Sequence, residues 1–337
     1  MANVSPRMWL GIFDHLDENG GDLSQQYSDR LVLAEACDRL GYYAYHVAEH
    51  HCTPHGRTPS PNVFLSSVVQ RTKRLRVGPM VMLLSLQHPL RAYEEACMLD
   101  HLSGGRLEIG VGRGSLPAEL AYFGVSAESA HELYTEGMEI LARAMKGGTL
   151  SYEGQHFRLH QVPLALTPCQ LPHPPTWIPV SQPASAAAAA EVGANIASLG
   201  RASTVRKLTD AYRAGNLRKD VPFLGLLRMI VADASEADAY SVAAAAYGRW
   251  LKSFRFLYEL NALPLPASLP PTFEAAIDSE LCVVGTPSSV QRILFDHLEE
   301  AGANYLLCQV AFGDLPLAVS LNTAAILRSE LMAKVGA

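Results

Sequence analysis

Short apolar runs alternate along the chain with longer stretches whose apolar residues recur at helical spacing. The runs predict strands over 7–14, 43–48, 75–84, 106–111, 177–180, 196–199, 223–232 and 304–311. Helical periodicity predicts helices over 23–40, 62–72, 90–102, 128–146, 183–192, 203–213, 235–259, 287–301 and 315–334. Punctuation supports several of these limits. Ser24 is placed to cap the first helix and Gly41 to end it, and Ser103-Gly104-Gly105 stops the third. Pro54, Gly56, Pro59 and Pro61 exclude regular structure from 52–61. Eight strands, each followed by a helix, predict an α/β fold of the (β/α)8 TIM-barrel kind, in a single domain over 1–337. Two insertions interrupt the repeat, at about 148–175 and about 260–282. The first contains an alternating stretch over 149–159 around Glu153-Gly154-Gln155, which predicts a hairpin, and then the proline-rich run 163–175. The second contains the proline-rich run 264–271. The long connections 52–61, 155–175 and 261–280 are candidates for a lid.

Composition narrows the function classes. Of 337 residues, 49% are hydrophobic, enough to bury a large core. A formal net charge of −6 without a basic stripe argues against nucleic acid as the main partner, and against an anionic membrane surface. The apolar run 8–13 is too short for a signal peptide, and the alanine run 186–190 too short to span a bilayer. The six cysteines are scattered without metal-ligand spacing, as expected of reduced thiols in a cytoplasmic protein.

Polar chemistry gathers just past the apolar runs. Glu49-His50-His51 follows the second strand, where a carboxylate beside two imidazoles can hold one ring in a chosen tautomer for proton transfer. The alternatives are hydrogen bonding within the loop, or a metal-dependent hydrolase. Adjacent histidines diverge on a regular backbone, so they suit one metal ion poorly. Gly110-Val111-Gly112-Arg113-Gly114 lacks the spacing of a dinucleotide fingerprint, because Ser115 stands before any third glycine. It reads instead as a strand ending in a tight turn that projects Arg113, either to grip a phosphate or ring edge or to pair with Glu108 or Glu119. Ser181, Gln182 and Ser185 surround Pro183 at a helix start, which is either an anion seat or an ordinary cap. Met80, Met82 and Leu84 are expected on one face of the third strand, and Pro79, Val81 and Leu83 on the other. His88-Pro89 marks a helix start, with a structural role for His88.

Taken together, AEHH, RLRVG, HPLR-x-x-EE, LD-x-LSGGRLE-x-GVGRG and YFG within 41–124 closely resemble the bacterial luciferase-like flavin-dependent monooxygenases. The resemblance continues through PHPPTWIPVS, VGTP and the C-terminal helix. It implies a barrel whose mouth takes reduced FMN as co-substrate. Dioxygen then adds to the flavin, and the resulting hydroperoxide oxygenates a small carbonyl-type or carrier-bound substrate. A separate flavin reductase would supply the reduced FMN, since no nicotinamide-binding domain is legible. By the same resemblance His50 is the catalytic histidine, flanked by Glu49 and His51, and Arg113 touches the flavin. A non-proline cis peptide under the flavin ring falls at Met80–Val81, and Ser181, Gln182 and Ser185 seat the FMN phosphate. Relatives commonly form homodimers. Three positions depart from the family pattern: His131 replaces a phosphate-gripping arginine, Ser181-Gln182 replaces a carboxylate-serine pair, and Gly112 replaces a cysteine of the light-emitting subunit. Gly112 predicts oxygenation without light, and the missing phosphate arginine leaves a deazaflavin-dependent hydride-transfer enzyme on the same fold as the alternative.

Overall fold

Local signals set most element limits in the computed structural model, which describes residues 8–216 and 221–332. The expected strand start at 7 and helix end at 333–334 lie outside the described residues. In chain order the elements are β1 (Trp9–Asp14), α1 (Leu23–Leu40), β2 (Ala44–Val47), α2 (Pro61–Arg71), β3 (Arg76–Pro79), β4 (Met82–Leu83), α3 (Pro89–Ser103), β5 (Ile109–Gly112), α4 (Pro117–Tyr122) and α5 (Ala127–Ala144). Then come the antiparallel hairpin β6 (Thr149–Glu153) and β7 (Arg158–Pro163), β8 (Thr176–Pro179), α6 (Pro183–Glu191), β9 (Asn195–Ser198), α7 (Ala202–Gly215) and β10 (Leu224–Ala232). The last part holds α8 (Glu236–Leu260), α9 (Phe273–Asp278), β11 (Cys282–Gly285), α10 (Pro287–Ala301), β12 (Tyr305–Gln309) and α11 (Leu317–Met332). Among these described helices none is long and apolar enough to cross a membrane.

Caps follow side-chain reach. Asp22, rather than Ser24, caps α1, its carboxylate accepting from the Gln25 amide at 2.9 Å, because Ser24 already lies inside the first turn. Gly41 and Gly104 close α1 and α3 in the left-handed region, with φ of 77° and 66°. At the start of α3, His88 Nδ1 accepts from the Leu90 amide, a structural role.

The parallel strands run in the order β3-β2-β1-β12-β10-β9-β8-β5-β4, and a bridge between Val77 and Leu107 brings the two ends of this path together. This is the nearly closed barrel expected, with helices outside and every residue of β10 buried, as a strand covered on both faces requires. Two features of the barrel strands differ from the expected pattern. A ninth barrel strand, β11, pairs with the upper half of β10 from Met229↔Cys282 to Ala232↔Gly285. The first residues of β10 pair with β9 instead, so the longer strand leaves an edge that β11 fills.

The third expected strand is also divided, into β3 and β4, with a cis peptide between Met80 and Val81. The ladder breaks there, and strict alternation breaks with it. Met80 joins an inner cluster with Phe13, Trp177, Met229 and Leu307, and Val81 packs against that cluster. Met82 and Leu84 join an outer one with Val77, Tyr93, Val111 and Ile140. Met80 therefore does not share a face with Met82 and Leu84, contrary to the sequence expectation.

Candidate active site

The residues after β2 turn in opposite directions. Glu49, buried, accepts from His51 Nε2 at 3.0 Å through one oxygen and from the Leu83 amide at 3.2 Å through the other. His50 points away from this pair and donates Nδ1–H to Glu119 Oε1 at 3.0 Å; the same oxygen accepts from the His51 amide at 3.0 Å. Each adjacent imidazole thus has its own carboxylate, and Glu49, His50 and His51 do not converge on a common metal position. Because Nδ1 faces a carboxylate, the neutral ring of His50 carries its hydrogen there, and Nε2 is then the acceptor. Its side chain is 25% exposed, so Nε2 can be reached, while the Glu119 side chain is only 3% exposed. A Cβ at Gly56 would lie 2.7 Å from His50 Cβ, so only glycine lets the 52–61 connection fold this close.

That connection is pinned to the barrel. Arg57 donates its amide to Leu16 O at 3.0 Å, Glu18 donates its amide to Pro54 O at 2.7 Å, and Thr58 donates its hydroxyl to Ala48 O at 3.2 Å. It carries His55, buried against the ring edges of Trp250 and Phe254 on α8. His15, one residue past β1, has its ring centroid 4.3 Å from that of His55, tilted by 37°, and accepts at Nδ1 from the Gln309 carboxamide at 3.1 Å. Burial first, and neighbouring imidazoles second, push both His15 and His55 well below the ordinary histidine range. Glu119, His15 and His55 were not singled out as site residues from sequence. His15 had a signal in being a polar residue just beyond an apolar run. Glu119 and His55 had none, lying in a short helix and an irregular loop.

A second group surrounds the ends of β4, β5 and β8. Gly112 has no room for a side chain, since a Cβ would meet Val81 Cγ2 at 2.3 Å. The Arg113 carbonyl accepts from Ser85 Oγ at 2.5 Å, while its guanidinium is exposed and has no partner among the described residues. Neither proposed ion pair forms: Glu119 serves the histidines, and Glu108 is held by Arg76, Tyr43 and Trp177. At the start of α6, Gln182 occupies the cap position without a side-chain cap bond, and Ser181, Gln182 and Ser185 are exposed. The ordinary-cap reading therefore fails, and the first amides of α6 remain open to an anion. His131 lies exposed in the early part of α5. No hydrogen bond among the described residues links His131, Arg113 and the α6 start to one another.

Polar side chains gathered at the C-terminal ends of parallel barrel strands define a TIM-barrel enzyme, with its working groups on the βα loops. The chain belongs to the luciferase-like monooxygenase family, whose model matches residues 8–305. It is 63% identical over the whole length of both chains to y4wF, an uncharacterized protein of Sinorhizobium fredii. The oxygenase component of the flavin-dependent trigonelline monooxygenase of Acinetobacter baylyi is 27% identical, over 77% of this chain and 76% of that one. Among solved structures, the monooxygenase RslO1 of Streptomyces bottropensis superposes with a TM-score of 0.87, at 26% identity, over 98% of this chain and 100% of that one.

Proposed function

We propose that this protein is the oxygenase component of a two-component system, using reduced FMN and dioxygen to oxygenate a small organic substrate of carbonyl-type or carrier-bound chemistry. The protein works in the cytoplasm, where a separate reductase supplies the reduced flavin. The observation that carries this reading is the His50–Glu119 pair at the mouth, a positioned imidazole with one nitrogen free. Other groups past the strand ends suit the cofactor: a start of α6 with no side-chain cap and with exposed hydroxyls for a phosphate, and an Arg113 guanidinium with no partner among the described residues. His131 is a further phosphate candidate, while Met80 and Val81 form an apolar wall. Reduced FMN, when bound, supplies the two electrons that activate dioxygen.

The chain's own residues do the rest. Glu119 keeps the His50 hydrogen on Nδ1, so Nε2 accepts a proton from the reacting system and returns it. Glu49 holds His51 aside and ties the loop after β2 to β4. Met80, Val81 and Phe13 limit water near the reacting atoms. The test mixes the protein with photoreduced FMN and air, and follows flavin absorbance and product from a panel of aldehydes, ketones and thioesters. Saturable flavin binding with an oxygenated product is the expected outcome. Immediate, unprotected flavin reoxidation with no product from any class would sink the reading.

A further inference from the structure

Three histidines from three segments converge at the mouth: His15 after β1, His50 after β2, and His55 in the 52–61 connection. Their ring centroids are 4.3 Å apart for His15–His55, 4.9 Å for His50–His55 and 5.5 Å for His15–His50. One nitrogen from each lies within 4.8 Å of those from the other two. His55 is 4% exposed, and its Nδ1 has no hydrogen-bond partner among the described residues. Native interiors rarely leave such an atom unpartnered, and a bound ion or water is one way such an atom is satisfied. A metal-binding imidazole is usually held through its other nitrogen by a carboxylate or carbonyl oxygen. Glu119 already holds His50 in this way. Turning the Gln309 carboxamide about its last torsion presents its oxygen to Nδ1–H of His15 and frees Nε2.

We propose that His15, His50 and His55 form a binding site for one divalent transition-metal ion, with three imidazole ligands and an open position toward the mouth. Imidazole ligands favour zinc, copper, nickel or cobalt over magnesium or calcium. On the reading of His50 as the proton-handling group, the ion takes the nitrogen that the reaction needs. Metal binding therefore switches the oxygenase off, and chelation restores it.

The test titrates chelator-stripped protein with Co2+ alone and reads its visible absorption, then counts imidazole ligands on the zinc-loaded wild type by X-ray absorption. One tight equivalent with three imidazoles is expected. His15→Asn and His55→Asn should each weaken Co2+ affinity about 100-fold or more, whereas the exposed His160→Asn should not. Absence of a stoichiometric band, or fewer than three imidazoles, overturns the proposal; the wild-type ligand count decides even if a variant fails to fold. Stoichiometric Zn2+ should abolish turnover, and a chelator should recover it. Metal bound by the trio in a protein without oxygenase activity would keep the site and discard the proposed function. Oxygenase activity without metal binding would do the reverse.

Discussion

Glu108 and Glu119 are both buried carboxylates of one barrel, at opposite ends, and they are held by different kinds of donor. Glu108, just before β5, accepts from the Tyr43 hydroxyl at 2.7 Å, from Trp177 Nε1 and from Arg76 Nε. Burial pushes its carboxyl up, opposed first by the Arg76 guanidinium. Arg76 is anchored further by Leu107 O at 2.9 Å and Gln170 Oε1 at 2.7 Å. Every donor on Glu108 keeps its hydrogen at ordinary pH. Glu119 has an imidazole and a backbone amide instead. The first arrangement ties the N-terminal end of the barrel together, and the second leaves one partner able to gain and lose a proton. The same buried carboxylate chemistry therefore gives a fastening at one end and a working group at the other.

Substitutions at the two ends should separate these roles. His50→Ala should lower turnover roughly 100- to 10,000-fold while changing reduced-FMN affinity only a few-fold; equal losses in both would remove the proton-handling role. Glu108→Ala should cost about 3 kcal/mol of stability by leaving Arg76 without its carboxylate, at the low end of such losses because Arg76 keeps other partners and some exposure. Denaturant melts would show this, and unchanged stability would undo the contrast. Glu119→Gln keeps an acceptor for His50 but removes the charge. It should lower kcat roughly 10- to 100-fold and shift its pH profile, with little change in melting temperature.

The smallest expected effect concerns pH. Burial pushes His46, bonded to the Tyr305 hydroxyl at 3.0 Å, down to about 3. Its neutral form is favoured in the fold, whereas the unfolded chain takes up a proton near pH 6.5. Stability should be undiminished above that pH and fall below it, by up to about 1.4 kcal/mol per pH unit from this one group. His46→Gln should flatten the slope measured between pH 6.5 and 4.5, and an unchanged slope would exclude His46 as its source.

The amino-acid pattern by itself determined the strand–helix alternation and the hairpin at β6–β7. It also determined the position of Glu49-His50-His51 just past a strand, because periodicity and breakers act over a few neighbouring residues. The resemblance to the luciferase-like family located the cis peptide at Met80–Val81. Only the tertiary structure decided that Glu119, 69 residues from His50, is its partner. It also decided that His15 and His55 join His50, that β11 fills the free edge of β10, and that Met80 and Met82 face different layers. Those outcomes depend on closing the barrel, which brings together side chains whose separation along the chain carries no local signal.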